Sequence, residues 1–356
     1  MRILCLIGRE VSYPRNDVIL RAFRRFGKVD VISGGGSGSL IGRSLRVSLQ
    51  ALPHLAAKQF DLLFVGFYGH LLMLTAGILT HSPVLFDAFV SNYDTLCFDR
   101  DLFSPRSLPG RLAFWLDKTS TRLADLILLD TPQHSRYFAN LFDIPPQKLD
   151  FLPVGCNEDI FYPRKNDAHE GTKVLYYSTY LPLHGVDTVV RAADLLRFES
   201  NLRFKIIGIG QEYVSVRRLS DDLGIRNINF VPSISLNRLP LEIAEADVCL
   251  GGHFGASDKA ARVIPGKVYQ ILAMGCPLIA ANTPANQDLL SHGESAILCQ
   301  PNDANALASA ILALHRDSVL RQRLSERGLS RFREKASEAV ITQRLKSIAS
   351  QLIKRP

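Results

Sequence analysis

No uninterrupted apolar run in the sequence approaches the roughly 20 residues that a membrane-spanning helix needs. Metal-ligand spacing is also missing. The six cysteines (Cys5, Cys97, Cys156, Cys249, Cys276 and Cys299) are scattered, without CxxC or a Cys/His pair at zinc distance. They read as buried free thiols of a reducing compartment. There is no Ser/His/Asp trio at a telling spacing and no cluster of carboxylates for a hard cation, so neither a metal nor a resident cofactor is expected. The phosphate fingerprints GxGxxG and GxxxxGK[ST] are absent, and GGGSGS at 34–39 reads as a flexible loop instead. The first apolar stretch, residues 2–8, has only a strand's length and no small-residue cleavage site after it, so a cytoplasmic protein without a secretory signal is expected.

What the sequence does have is cations in excess, apolar strands in series and glycine turns. The net charge of +8 suits nucleic acid, an anionic membrane surface or an acidic substrate. No RNA or DNA motif accompanies it, so nucleic acid is not the expected partner. A hydrophobic fraction of 47 % with 21 % charged residues marks a core-forming globular chain, and 356 residues favour two domains.

Short apolar runs near 2–8, 29–32, 61–67, 83–89, 124–130 and 149–154 alternate with helical patterns. After a charged, Asn- and Pro-containing linker at 155–173 the alternation restarts, with strands near 173–178, 203–208, 228–232, 247–251, 277–281 and 296–299. Strands that are apolar throughout belong to parallel sheets covered on both faces. The fold class is therefore α/β, with two doubly wound halves. Asn16 is expected to cap the first helix and Gly27 to stop it. Residues 90–123 carry several aromatics and cations; they read either as a helix and loop packed on their own domain or as a stretch that touches a membrane surface.

The chain is organised around 246–279, ADVCLGGHFGASDKAARVIPGKVYQILAMGCPLI. A short strand leads into a glycine-containing loop, three cations (Lys259, Arg262, Lys267) and a helix starting near Pro265. A helix N-terminus favours anions, so phosphate is the expected ligand. Val268, Ile271 and Leu272 form the buried face; Lys267 and Gln270 fall on another, one turn apart. Ligands of open α/β sheets bind beyond the carboxyl ends of strands. The residues there include His70, Asp87, His184, Gly208 and Gly210. An acid ending an apolar strand, like Asp87, needs a partner or a task. Gly208 and Gly210 serve either a tight turn or a ligand's close approach.

The strings 178–187 (STYLPLHGVD), 207–211 (IGIGQ), 246–251 with 262–280 (RVIPGKVYQILAMGCPLIA), and 153–163 (PVGCNEDIFYP) resemble the GT4-type retaining glycosyltransferases. The likeness is specific in the C-terminal half and mainly topological in the N-terminal half. It implies a GT-B fold, with two Rossmann-like domains facing a central cleft: an acceptor-side domain at 1–158, a nucleotide-sugar domain at 159–335, and a last helix at 336–356 that returns to the first domain. The sequence departs from the family's pattern where two glutamates eight apart are usual; Arg262 and Gln270 stand there. Thr179 and His184 take the usual Arg and Lys positions, and Asp87 roughly that of a histidine.

The resemblance implies a metal-independent transferase that uses a nucleotide-diphosphate sugar as co-substrate. Lys259, Arg262, Lys267 and His184 would hold the diphosphate, and Gln270, Gly208 and Gly210 the nucleoside. Gly252, Phe254 and Gly255 would form a loop at the sugar and phosphates, and Asp87 or His70 would face the reacting sugar and acceptor. The acceptor would be an envelope or exopolysaccharide glycan, free or lipid-linked, met at the inner face of the cell membrane. Two alternatives stand beside this: a nucleotide-sugar epimerase or hydrolase on the same fold, and a non-catalytic partner subunit.

Overall fold

The computed structural model describes residues 1–35, 38–57, 59–165 and 169–354. Part of the 34–39 loop (Gly36 and Ser37), Lys58 and Asn166 of the linker lie outside the described residues. The chain divides into two compact units, Met1–Gly155 with the segment from Glu338 onward, and Cys156–Ser337. From the sequence the joints are expected at 158/159 and 335/336.

Among the described residues the first unit holds six strands: β1 (Arg2–Ile7), β2 (Lys28–Ser33), β3 (Leu62–Val65), β4 (Val84–Asp87), β5 (Leu126–Leu129) and β6 (Leu149–Phe151). All pair in parallel, in the order β2-β1-β3-β4-β5-β6. Every residue of β3, β4 and β5 is buried. Alternate strand residues feed two cores because successive side chains point to opposite faces. Leu4, Leu6, Leu63 and Val65 meet the helices Leu40–Ala57, His70–Leu79 and Pro132–Phe142 on one face. Ile3, Cys5, Ile7 and Phe64 meet helix Pro14–Arg24 and the last helix, Glu338–Ile353, on the other. That last helix inserts Ile341, Leu345 and Ile348, and its first residue, Glu338, takes ion pairs from Arg21 at 3.0 Å and Arg25 at 3.1 Å.

The first helix begins one turn earlier than its sequence suggests. Pro14 occupies its first turn, where a missing N–H costs nothing. Asn16 is thus not the cap; it is fully buried and donates its side-chain amide to the Glu10 carbonyl at 3.0 Å.

The second unit repeats the scheme with β7 (Thr172–Tyr177), β8 (Leu202–Ile207), β9 (Ile228–Val231), β10 (Val248–Gly252), β11 (Leu278–Ala281) and β12 (Ile297–Cys299). The order is β12-β11-β10-β7-β8-β9, again parallel. Strand order reverses between β7 and β10, whose connections run to opposite sides. Such a switch point leaves a crevice at the strands' carboxyl ends, the usual ligand position in this architecture.

Candidate functional site

The switch point of the second unit is bordered by the ends of β7 and β10. Strand β7 delivers Tyr176 and Tyr177; β10 runs into Gly252, His253 and Phe254. Beyond β10 lies a short helix, Asp258–Arg262, capped by the Ser257 side chain, then helix Gly266–Ala273 with Pro265 at its N-cap. Val268, Ile271 and Leu272 form the fully buried face of that helix, as the spacing predicts. Lys267 does not point to solvent. It is 8 % exposed, and its Nζ has no hydrogen-bond partner. The ammonium lies 4.2 Å from the centroid of the Tyr176 ring and 5.6 Å from that of Tyr177. Burial lowers its pKa from 10.5 to about 7.

Two histidines stand beside it. His184 and His253 stack with ring centroids 5.3 Å apart. Burial pushes both well below the ordinary histidine range, and the charges of Lys267 and Lys259 push them further. Both rings are therefore neutral at pH 7. His184 Nδ1 accepts from the Leu181 amide at 3.2 Å, whereas His253 Nδ1 has no partner. Gly252, at φ +70°, leaves room here: a Cβ on it would lie 3.1 Å from the Tyr176 hydroxyl and 3.8 Å from Lys267 Nζ. Tyr177 donates to Gln270 Oε1 at 2.8 Å, which leaves the amide nitrogen of Gln270 as a donor. Lys259 and Arg262, three apart on one short helix, share a face.

The structure thus gathers Lys267, Lys259, His184, Gly252 and, unforeseen, His253 and the two tyrosines. A neutral histidine pair and a desolvated ammonium form an environment that a phosphate dianion would stabilise. A histidine inside GGHFG was the only sequence signal for His253.

Two expectations are corrected, those that offer the Phe254 and Gly255 amides to a ligand. Phe254 is wholly buried in the core. Its amide donates to the His184 carbonyl at 3.2 Å and that of Gly255 to the Leu183 carbonyl at 3.1 Å, so neither N–H is open to a ligand. Gly255 is needed because a Cβ would sit 2.3 Å from the Pro182 carbonyl oxygen. At Gly208 and Gly210 the fold itself requires glycine: Cβ atoms there would lie 1.8 Å from the Ser178 oxygen and 1.7 Å from the Thr179 oxygen. The turn after β8 passes against the backbone after β7, with no space for a side chain.

In the first unit, Asp87 ends β4 completely buried and paired with Arg15, whose Nη2 lies 2.8 Å away. Arg15 also donates to the carbonyls of Leu152 at 2.6 Å and Leu129 at 3.2 Å, tying β4, β5 and the exit of β6 together. Burial raises the Asp87 carboxyl and the guanidinium opposes that. The partner that a buried acid requires is Arg15, so an Asp87 open to a reacting sugar is also corrected.

His70 begins helix His70–Leu79 and is 2 % exposed. Neither ring nitrogen has a hydrogen-bond partner; Nε2 lies 3.5 Å from Asp117, and burial lowers its pKa. Asp117 in turn accepts from Ser91 at 2.6 Å and Asn92 at 2.8 Å. A second buried pair, His134 Nδ1 with Asp130 at 2.7 Å, was not legible from the sequence. A groove of about 720 Å³ between Thr80, Pro83, Asp125 and Lys148 lies at the amino ends of β4 and β5, the wrong end of the sheet for this architecture. Among the described residues no group of His, Cys, Asp and Glu could hold a metal, and no helix is long and apolar enough to cross a membrane.

Two doubly wound parallel units, the second with an anion-ready switch point, define a Rossmann-type class of fold. Residues 159–331 match the family of Glycosyl transferases group 1. The chain is 29 % identical over 173 residues to the putative colanic acid biosynthesis glycosyl transferase WcaI of Escherichia coli, a match covering 46 % of this chain and 42 % of that protein. It is 23 % identical over 176 residues to the amylovoran biosynthesis glycosyltransferase AmsK of Erwinia amylovora, covering 48 % and 42 %. These matches span about half of this chain and somewhat less than half of each relative. The whole chain is similar in fold to Anabaena Alr3699/HepE in complex with UDP-glucose, with TM-score 0.74, 15 % identity and coverage of 99 % and 100 %. Sucrose-phosphate synthase of Thermosynechococcus elongatus gives TM-score 0.74, 19 % identity and 99 % of both chains. The fold is GT-B.

Proposed function

We propose that the chain is a metal-independent glycosyltransferase that moves a sugar from a nucleotide-diphosphate sugar to an acceptor hydroxyl. The observation that carries this is the buried ammonium of Lys267, unpartnered at the switch point beside two neutral histidines. A desolvated cation without a counter-charge is costly, and an anionic ligand relieves that cost. Lys267, with Lys259 and Arg262, would hold the donor diphosphate and stabilise the charge left on it as the sugar–phosphate bond breaks. His184, whose Nδ1 accepts from the Leu181 amide, would donate from Nε2–H to a phosphate oxygen, and His253 from its own ring N–H. Gln270, oriented by Tyr177, would bind the ribose. Uridine is the favoured base, since HepE carries UDP-glucose in the same fold.

Retention of configuration is proposed from family likeness. With it the leaving phosphate assists the acceptor hydroxyl, so no strong protein base is required. His70, held beside Asp117, is the first-unit residue proposed to face the acceptor. The names of WcaI and AmsK, glycosyltransferases of colanic acid and amylovoran biosynthesis, support a polysaccharide glycan as acceptor; a lipid-linked form of it, met at the cytoplasmic face of the membrane, is part of the same proposal.

Calorimetric titration with UDP, GDP and ADP, then with the sugar nucleotide of whichever base binds, tests the reading. One base should bind in the micromolar range and Lys267→Ala should abolish it. Absence of binding by all three, or binding indifferent to Lys267→Ala, would remove the proposal.

A further inference from the structure

The first unit exposes apolar side chains where a globular surface would be polar. Phe98, Leu102, Leu108, Leu112 and Trp115 are 54–72 % exposed within one short stretch. Helix Leu108–Arg122 sorts them by face. Ala113, Asp117, Ser120 and Thr121 are buried against the domain. Leu108, Leu112 and Trp115, at i, i+4 and i+7, line the outward face. Arg111, Lys118 and Arg122, also at i, i+7 and i+11, run beside that line. Of the carboxylates between 98 and 122, Asp99 and Asp117 are buried and only Asp101 is exposed. Helix Leu40–Ala57, in the same layer, continues the pattern. Ile41, Leu45 and Leu49 are 61–68 % exposed, and no acidic residue occurs between 40 and 57. Helix His70–Leu79 packs against both.

We propose that this face docks on an anionic phospholipid bilayer, with Leu108, Leu112 and Trp115 entering the headgroup–acyl boundary and Arg111, Lys118 and Arg122 contacting lipid phosphates. An apolar line flanked by cations on a helix that lies flat is the pattern of interfacial attachment, and basic residues beside it add attraction to anionic lipid. A second copy of this chain is the poorer occupant, because an isologous contact sets the same patch against itself and brings like cations together. The proposal is independent of the donor site in the second unit.

Trp115 is the only tryptophan in the chain, so its emission reports on this face alone. Mixed phosphatidylglycerol/phosphatidylcholine vesicles should shift the emission to the blue and carry the protein down on sedimentation; pure phosphatidylcholine should do neither. Raised salt should release it, since exposed charges are screened within a Debye length. The charge reversal Arg111→Glu/Lys118→Glu should weaken binding at least tenfold, and Leu112→Glu should abolish the shift. Both changes are on the surface, and unaltered thermal melting and nucleotide-diphosphate binding on the same samples separate loss of docking from loss of fold. Three outcomes would overturn the proposal: no shift on anionic vesicles, binding unaltered in the charge-reversal variant, or a lipid-free shift that grows with protein concentration, which would reveal a dimer.

Discussion

The ammonium of Lys267 stands 4.2 Å from the centroid of the Tyr176 ring, with no hydrogen-bond acceptor to complete its shell. The ring's negative face offsets part of the desolvation. It does not offset all of it, as the lowered pKa of this lysine shows. A group held in this state costs the unliganded protein stability and is explained by what it does when a ligand is present.

Lys267→Met should therefore separate stability from binding. We expect the unliganded variant to gain about 1–4 kcal/mol at neutral pH, as replacement of buried charge by apolar groups does. Nucleotide-diphosphate affinity should fall by about tenfold or more, the worth of a charged hydrogen bond. Urea denaturation and calorimetry measure the two. A destabilised variant would mean that Lys267 has a structural partner instead.

The same group sets a pH dependence. Its folded pKa of about 7 lies below the ordinary lysine value of 10.5, so across that window the unfolded chain binds more protons and stability rises with pH. Diphosphate affinity should run the other way, declining above about pH 7 as the ammonium deprotonates. On the acid side, His184 and His253 resist protonation when folded. Stability is accordingly lost as pH falls through the ordinary histidine value. His253→Leu should flatten the acid limb of a urea-midpoint profile, and Lys267→Met the alkaline rise; unchanged limbs would refute the assignment.

The Arg15–Asp87 pair predicts a different signature. Arg15→Ala leaves a buried carboxylate alone and should cost about 3–5 kcal/mol. The double change Arg15→Met/Asp87→Leu should recover much of that. Were Asp87 instead a group that touches substrate, Asp87→Asn would remove activity with the denaturation midpoint unchanged.

Glycine positions sort by what surrounds them. Gly210→Ala drives a Cβ to 1.7 Å from the Thr179 oxygen and should cost more than about 3 kcal/mol or prevent folding. Gly224→Ala, at φ +64° with nothing within 4 Å, should cost only the left-handed backbone penalty of about 1–2 kcal/mol. Thermal unfolding of the pair compares them directly.

The sequence by itself determined the strands and their parallel arrangement. A strand covered on both faces must be apolar along its length, and runs such as LLFV, VLFD and LILL can be little else. It also carried the helix after Pro265, because Val268, Ile271 and Leu272 recur at the helical period. Tertiary structure alone decided how polar residues are partnered. Helical periodicity sets Lys267 opposite the core, yet the rings that bury it come from β7, about ninety positions earlier. Asp87 announced a need for a partner, but its partner lies 72 residues away, on the first helix. The glycines after β8 are required by the path of the chain after β7, which passes against them and is invisible in the sequence. Local pattern encodes which face is apolar; long-range packing sets the dielectric around each charge, and with it the chemistry.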